Sequence, residues 1–329
     1  MRVAIIGCGF IGQKRAKNLG NARLILCVDT QLGSAEQLAK QFPEATATND
    51  WQEAIVNPDI DILIVATPHI SLSEIMQAGV IARKHVLVEK PAALKAALLP
   101  PIIKLAHENN VLVRVGFNHR YHRALQKAKS MIDENKLGSL MFVRARYGHG
   151  GRVGYDKEWR ANPKLSGGGE LIDQGIHLID LARWFLGDFS EVQGHADTYY
   201  WNMSVEDNGF MLLKTPANQI AFLHASCTEW KNIFSFEIYG KKAKLEIQGL
   251  GGSYGHEKLY YYKMLPTMGP PETTIWEYPM ADNSWSIEFQ AFLEDISKQR
   301  KPNPGLEDAF AALHIVEKIC KDSGYDYYT

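Results

Sequence analysis

Cysteine is scarce in this chain. Four residues among 329, at positions 8, 27, 227 and 320, lie far apart with no C-x-x-C pair. Such spacing speaks against a disulfide framework or a zinc site and suits a reducing compartment. Long apolar runs are missing too, since nothing approaches the ~20 residues needed to cross a bilayer. The N-terminal MRVAIIGCGF breaks at Gly7 without a cleavage-site pattern, so it does not read as a signal peptide. No charge of one sign dominates: 36 Lys and Arg stand against 37 Asp and Glu, for a net charge of −1. Nucleic acid and an anionic membrane are therefore not expected as partners. Neither an internal repeat nor a low-complexity linker is visible. The expectation is a soluble, cytoplasmic protein without a metal.

What is present begins with length, because 329 residues exceed one ordinary core and suit two domains. The first 117 residues alternate short apolar runs with helical patterns. The runs at 2–6, 23–28, 61–66, 85–88 and 111–115 are rich in Val, Ile and Leu. Strands covered on both faces by crossover helices have this composition. Between them, 34–42 and 94–108 carry apolar residues at helical spacing, with Pro100 and Pro101 expected to kink or divide the latter. The alternation predicts a doubly wound parallel sheet. Beyond Gly116 come a helix near 121–136, a strand at 139–147, a glycine-rich loop and a helix opening near residue 166. From about 189 to 280, alternating β-branched and aromatic segments predict an antiparallel sheet with one face packed and one available. Two helices, at 284–298 and 305–321, close the chain. The predicted division is 1–118 for the first domain and 119–329 for an α+β second domain.

The first strand feeds directly into GCGFIG, so Gly7, Gly9 and Gly12 hold the G-x-G-x-x-G spacing. One glycine permits a tight turn, one lets a pyrophosphate approach the backbone, and one lets helix pack on strand. The N–H groups around Phe10 and Ile11 then face the phosphates at a helix start. Asp29 ends the next strand, 17 residues beyond Gly12. Its carboxylate suits the ribose hydroxyls and repels a 2′-phosphate, which favours NAD over NADP. This is the Rossmann signature. Thr67 and Pro68, in ATPHIS at 66–71, follow another strand at the same sheet edge and are expected along the cofactor.

VLVEKP ends a further core strand at that edge, so Glu89 and Lys90 are expected near the nicotinamide, with Pro91 stopping the strand. A lysine there can anchor a reacting oxygen and lower an alcohol's pKa, though a solvated salt-bridging pair explains the segment equally well. In SGGGELIDQGIHLID, residues 166–180, a helix sets Asp173 and His177 four apart on one face. The carboxylate then orients the imidazole. Gly175 inside that helix costs ~1 kcal/mol relative to alanine, so close packing is expected beside it.

These motifs, GCGFIG (7–12), VEKP (88–91), VGFNHRYH (115–122) and GGGELIDQGIHLIDLARWFLG (167–187), together resemble the Gfo/Idh/MocA oxidoreductase family. The resemblance implies a Rossmann domain joined to an α/β domain with a large open, mostly antiparallel sheet that builds homodimers or homotetramers. It implies that Lys90 hydrogen-bonds the reacting oxygen, that His177 is the general acid/base, and that Asp173 orients it. Hydride passes between a nicotinamide and a sugar, inositol or nucleotide-sugar. One loop departs from the pattern: where many relatives have T-P-N-x-x-H, this chain has His69 for the Asn and Leu72 for the His.

Asn118, Arg120, His122, Arg146, Trp159 and Arg160 are the candidate substrate contacts. Each is equally well explained by ordinary packing. Arginine and tryptophan suit acidic and ring-shaped groups, which leans the substrate toward a nucleotide-sugar or acidic sugar. Two rival readings stay open, a glycosidase that oxidises its sugar transiently with bound NAD and a non-catalytic dinucleotide sensor. A pure sensor has no need of a proton relay.

Overall fold

The apolar runs form the strands that their composition predicts. In the computed structural model, which describes residues 1–327, the first sheet comprises β1 (Arg2–Ile6), β2 (Arg23–Val28), β3 (Thr46–Thr48), β4 (Ile62–Val65), β5 (His85–Glu89) and β6 (Val113–Gly116). All neighbours pair in parallel, in the order β3-β2-β1-β4-β5-β6. This is the Rossmann order, with its switch point between β1 and β4. β3 is an addition to the expectation. Three residues, Thr-Ala-Thr, are too few to show a period. Pro100 and Pro101 do not kink the predicted helix but stand where it is divided, after a 3-10 turn at Ala96–Leu98 and in the first turn of Leu99–Asn109, where the missing N–H groups have no intrahelical partner to lose.

The second sheet comprises β7 (Leu140–Gly148), β8 (Glu191–Asp197), β9 (Asn208–Lys214), β10 (Ile220–Ser226), β11 (Ile233–Gly240), β12 (Ala243–Gln248), β13 (Glu257–Lys263) and β14 (Glu272–Tyr278). Its order is β14-β13-β12-β11-β7-β10-β9-β8, and every pair but β7–β10 is antiparallel. Side chains alternate between its faces. Val143, Ala145 and Tyr147 of β7 are buried on one face, whereas Arg144 and Arg146 are exposed on the other. Phe210, Leu212, Phe222 and Ile275 keep 36–49% of their surface exposed.

By contacts, the chain separates into two units. One is Met1–Phe117 with Trp285–Ala311, and the other is Asn118–Ser284 with Ala312–Thr329. Helix Ser284–Lys298 explains the returning segment, because its Phe289 and Phe292 complete the buried core of Val3, Ile5, Leu38, Ile62 and Leu87. Among the described residues, no helix is long and apolar enough to cross a membrane.

Candidate active site

In the first unit, β1 runs into helix Phe10–Ala16 through the glycine turn. Gly7 has φ +95°, and a Cβ there would meet the Ala66 carbonyl oxygen at 2.4 Å. A Cβ on Gly12 would lie 1.9 Å from the Gly7 carbonyl oxygen, so both glycines answer to packing within the protein. Gly9 differs, since nothing lies within 4 Å of the place its Cβ would take. That open backbone is the approach a pyrophosphate requires. The first helical turn, with Phe10 and Ile11, carries no acidic side chain to repel an anion. Asp29 is tied to this turn, its Oδ2 accepting from the Cys8 N–H at 2.8 Å and its Oδ1 from the Gln31 N–H at 2.9 Å. These residues fit a dinucleotide.

Thr67 is half-buried and Pro68 exposed just before helix His69–Ile81. The residues that depart from the expected loop pattern, His69 and Leu72, are both buried in that helix.

Glu89 and Lys90 go separate ways. Lys90 is half-buried, whereas Glu89 is buried and accepts from Arg15 Nε at 2.7 Å. Arg15 also pairs with the buried Glu288, and its guanidinium lies 4.4 Å from the centre of the Trp285 ring. Glu89 is thus part of a buried ion cluster, an arrangement the strand-end reading did not anticipate.

In the second unit, the glycine run serves a close approach. A Cβ on Gly169 would fall 1.9 Å from the Glu206 carbonyl oxygen, and the buried Glu206 carboxylate accepts from Gly169 N and Leu171 N at 3.0 and 3.1 Å. Leu171–Gly175 then forms a π-helical turn, followed by α-helix Ile176–Leu186. Asp173 therefore sits in a π turn instead of a regular α-helix. Such turns arise often at functional sites. A Cβ on Gly175 would lie 3.4 Å from the Ala225 Cβ of β10, an ordinary van der Waals distance, so the close packing expected beside this glycine is not found.

His177 is buried and stacks flat on His119, with ring centres 3.8 Å apart and planes 19° from parallel. Tyr147 meets the His119 ring edge-on at 5.1 Å, and its phenol is pushed well above the ordinary value by burial and by Tyr254. Asp173 accepts from Arg160 Nε at 3.1 Å, and Arg160 lies 4.6 Å from the centre of the Trp159 ring. Beside Asp173 stands Glu170, whose Oε1 accepts from the Tyr155 hydroxyl at 2.8 Å and lies 3.6 Å from His149 Nε2. Burial and the neighbouring Asp173 push the Glu170 carboxyl up to about 8.

The remaining candidates have other partners. Arg120 is buried and bonds Asp180 in two places, Nε to Oδ2 at 2.8 Å and Nη2 to Oδ1 at 2.6 Å. His122 Nδ1 lies 3.0 Å from Glu257 Oε2, and Asn118 donates to Ser284 Oγ at 2.9 Å. Arg146 points to the opposite face of the sheet from Tyr147 and His177, because adjacent strand residues alternate. His119, Tyr147 and Glu170 were passed over. His119 stood inside VGFNHRYH, but its use depends on a ring 58 positions away. Among the described residues, no group of three or more His, Cys, Asp or Glu is placed to hold a metal ion.

Residues 1–117 match the family model described as "Oxidoreductase family, NAD-binding Rossmann fold", and residues 125–246 match the GFO/IDH/MocA C-terminal domain. The chain belongs to the Gfo/Idh/MocA oxidoreductase family. Its first unit is the NAD-binding domain of this oxidoreductase. Among relatives, the scyllo-inositol 2-dehydrogenase (NAD(+)) of Bacillus subtilis is 30% identical over 317 residues, covering 92% of this chain and 88% of that protein. The levoglucosan dehydrogenase of Pseudarthrobacter phenanthrenivorans is 28% identical over 230 residues, covering 65% of this chain and 58% of the relative. A solved levoglucosan dehydrogenase in complex with NADH and levoglucosan superposes with a TM-score of 0.88, at 21% identity, across 98% of this chain and 97% of that one. At that identity the likeness concerns the fold.

Proposed function

We propose that this Gfo/Idh/MocA oxidoreductase transfers hydride between NAD and a CH–OH carbon of a sugar or inositol. The observation that carries the reading is His177, buried and held flat against His119, in the α-helix that directly follows the π-helical turn carrying Asp173. A ring clamped in this way presents its nitrogens in a set direction, as a general acid/base requires. Bound NAD supplies the hydride acceptor or donor. The chain's own groups do the rest. His177 takes the hydroxyl proton as an alcohol is oxidised and returns it in reduction. Asp173, fixed by Arg160, orients the relay, and Lys90 anchors the reacting oxygen and favours its alkoxide character. Gly7, Gly9, Phe10, Ile11, Gly12, Asp29, Thr67 and Pro68 hold the dinucleotide, with Asp29 on the ribose hydroxyls. Trp159 and Arg160 are the substrate contacts retained by this reading. The relatives named for inositol and levoglucosan support a polyhydroxylated ring as substrate.

The test is reduced-nicotinamide absorbance with purified protein, NAD or NADP, and a panel of sugars, inositols and nucleotide-sugars. Reduction with one class supports the reading. Silence across the panel with NAD bound refutes it and favours the NAD-dependent glycosidase or the sensor. The exposed apolar side chains of the second sheet suit a homodimer or homotetramer through that face. Light scattering that gives a 37.0 kDa particle would refute this assembly.

A further inference from the structure

The buried carboxylate of Asp207 is spent on a loop of aromatic residues. Its Oδ1 accepts from Tyr199 N at 2.9 Å, and its Oδ2 accepts from Tyr200 N and Trp201 N at 2.8 and 3.0 Å. Three consecutive backbone N–H groups converge on one side chain that is 0% exposed. Trp201 is held again at its indole, which donates to the Cys227 carbonyl at 2.9 Å. One side of that ring lies on Gly151, where a Cβ would meet it at 2.3 Å. A second loop adds Trp230, 78% exposed and held at φ +60°. A bulky residue in left-handed backbone is disfavoured, and such strain collects at functional sites.

The rings form a continuous series. Tyr155 lies 5.7 Å from Trp201, Trp201 lies 5.2 Å from Tyr200, and Tyr200 lies 5.2 Å from Trp230. At its inner end the Tyr155 hydroxyl bonds Glu170, three residues before Asp173. At its outer end Tyr200 and Trp230 are exposed. The surface extends beyond one sugar ring, and it begins beside the group assigned to orient the proton relay.

We propose that Tyr200 and Trp230 form an outer subsite that stacks a second pyranose ring, so that this enzyme's substrate is a glycoside or disaccharide instead of a free monosaccharide. The inference rests on the oxidoreductase reading and refines its substrate. The exposed face of Trp230 matches the C–H face of a pyranose, and Tyr200, its ring 73° from that of Trp230, borders the sugar's rim of hydroxyls. Pinning the Tyr200 loop beforehand lowers the ordering cost of binding. A protein–protein contact would explain exposed rings as well, but not their continuity with Glu170 and Asp173.

Calorimetry on the NAD-loaded enzyme tests this, using aldoses and inositols alongside methyl glycosides, cellobiose and maltose. At least one disaccharide should bind more tightly than its monosaccharide. Trp230→Ala and Tyr200→Ala should each weaken that disaccharide about tenfold, while monosaccharide and NAD affinities move less than about twofold. Trp230→Phe, which keeps a ring, should retain most of the preference. Monosaccharide binding without a disaccharide preference, or a preference untouched by both alanine variants, overturns the subsite alone. A change of particle mass in Trp230→Ala reassigns the surface to assembly and also overturns it. Silence toward every sugar with NAD bound overturns the oxidoreductase reading and the subsite together.

Discussion

Replacing Arg15 by methionine isolates the energetics of the buried ion cluster. The guanidinium side chain is 1% exposed and contacts Glu89 Oε1 through Nη2 at 2.6 Å, while the side chain of its other partner, Glu288, is 0% exposed. Methionine keeps much of the volume but leaves two carboxylates in low dielectric without their cation. Breaking a buried pair in this way costs about 3–5 kcal/mol, and the lost stacking on Trp285 adds to that. At ~2–4 °C per kcal/mol, Tm should fall by roughly 10 °C. Burial already pushes the Glu288 carboxyl upward with Arg15 beside it. Without Arg15, the Glu288 carboxyl loses the charge that opposes this rise and titrates further above its unfolded value. Its contribution is then fully present in acid and is lost as pH rises through the raised value. The Arg15→Met penalty should therefore be larger at about pH 8 than at about pH 5. Scanning calorimetry or urea unfolding at both pH values measures this. A penalty below about 1 kcal/mol, or one independent of pH, would refute the reasoning. Adding Glu288→Leu should recover part of the loss, since an apolar replacement removes the stranded charge.

Lys90→Met and His177→Ala should each abolish turnover while NAD binding, read by fluorescence titration, is retained; activity in both variants would overturn the assigned chemistry. Asp29→Ala should weaken NAD binding and relax discrimination against NADP, because it removes the acceptor held beside Cys8 N. Unchanged selectivity would mean the ribose is read elsewhere. Glu237 lies on the second sheet, where burial raises its pKa but hydrogen bonds from Arg144 and Lys244 prevail and hold it at about 2. Its contribution is present above the ordinary carboxylate range and is lost as pH falls toward about 2. Glu237→Gln should therefore lose stability at neutral pH and show a flatter acid limb in a denaturation series.

Local chemistry made much of this protein legible. Valine, isoleucine and leucine runs specify strands covered on both faces, and GCGFIG after such a strand admits few other structures. The helix boundaries followed from their period, with Ser284–Lys298 and Leu306–Asp322 close to the expected spans. Lys90, Asp173 and His177 were proposed for the proton relay from the sequence, by their motifs and spacing. Tertiary structure decided which partners these groups acquire. Arg15 and Glu288 are 273 residues apart, so their pairing depends on a C-terminal helix returning to the first core. The stack of His119 on His177 depends on a turn and a helix meeting in the second unit, a contact to which no period points. Arg120 is read as a substrate ligand until Asp180 faces it across the fold. The aromatic series needed Asp207 to draw three backbone N–H groups together. Periodicity reports which face of an element is buried, because that depends on neighbours along the chain; which polar group meets which depends on distances the chain closes only once it has folded.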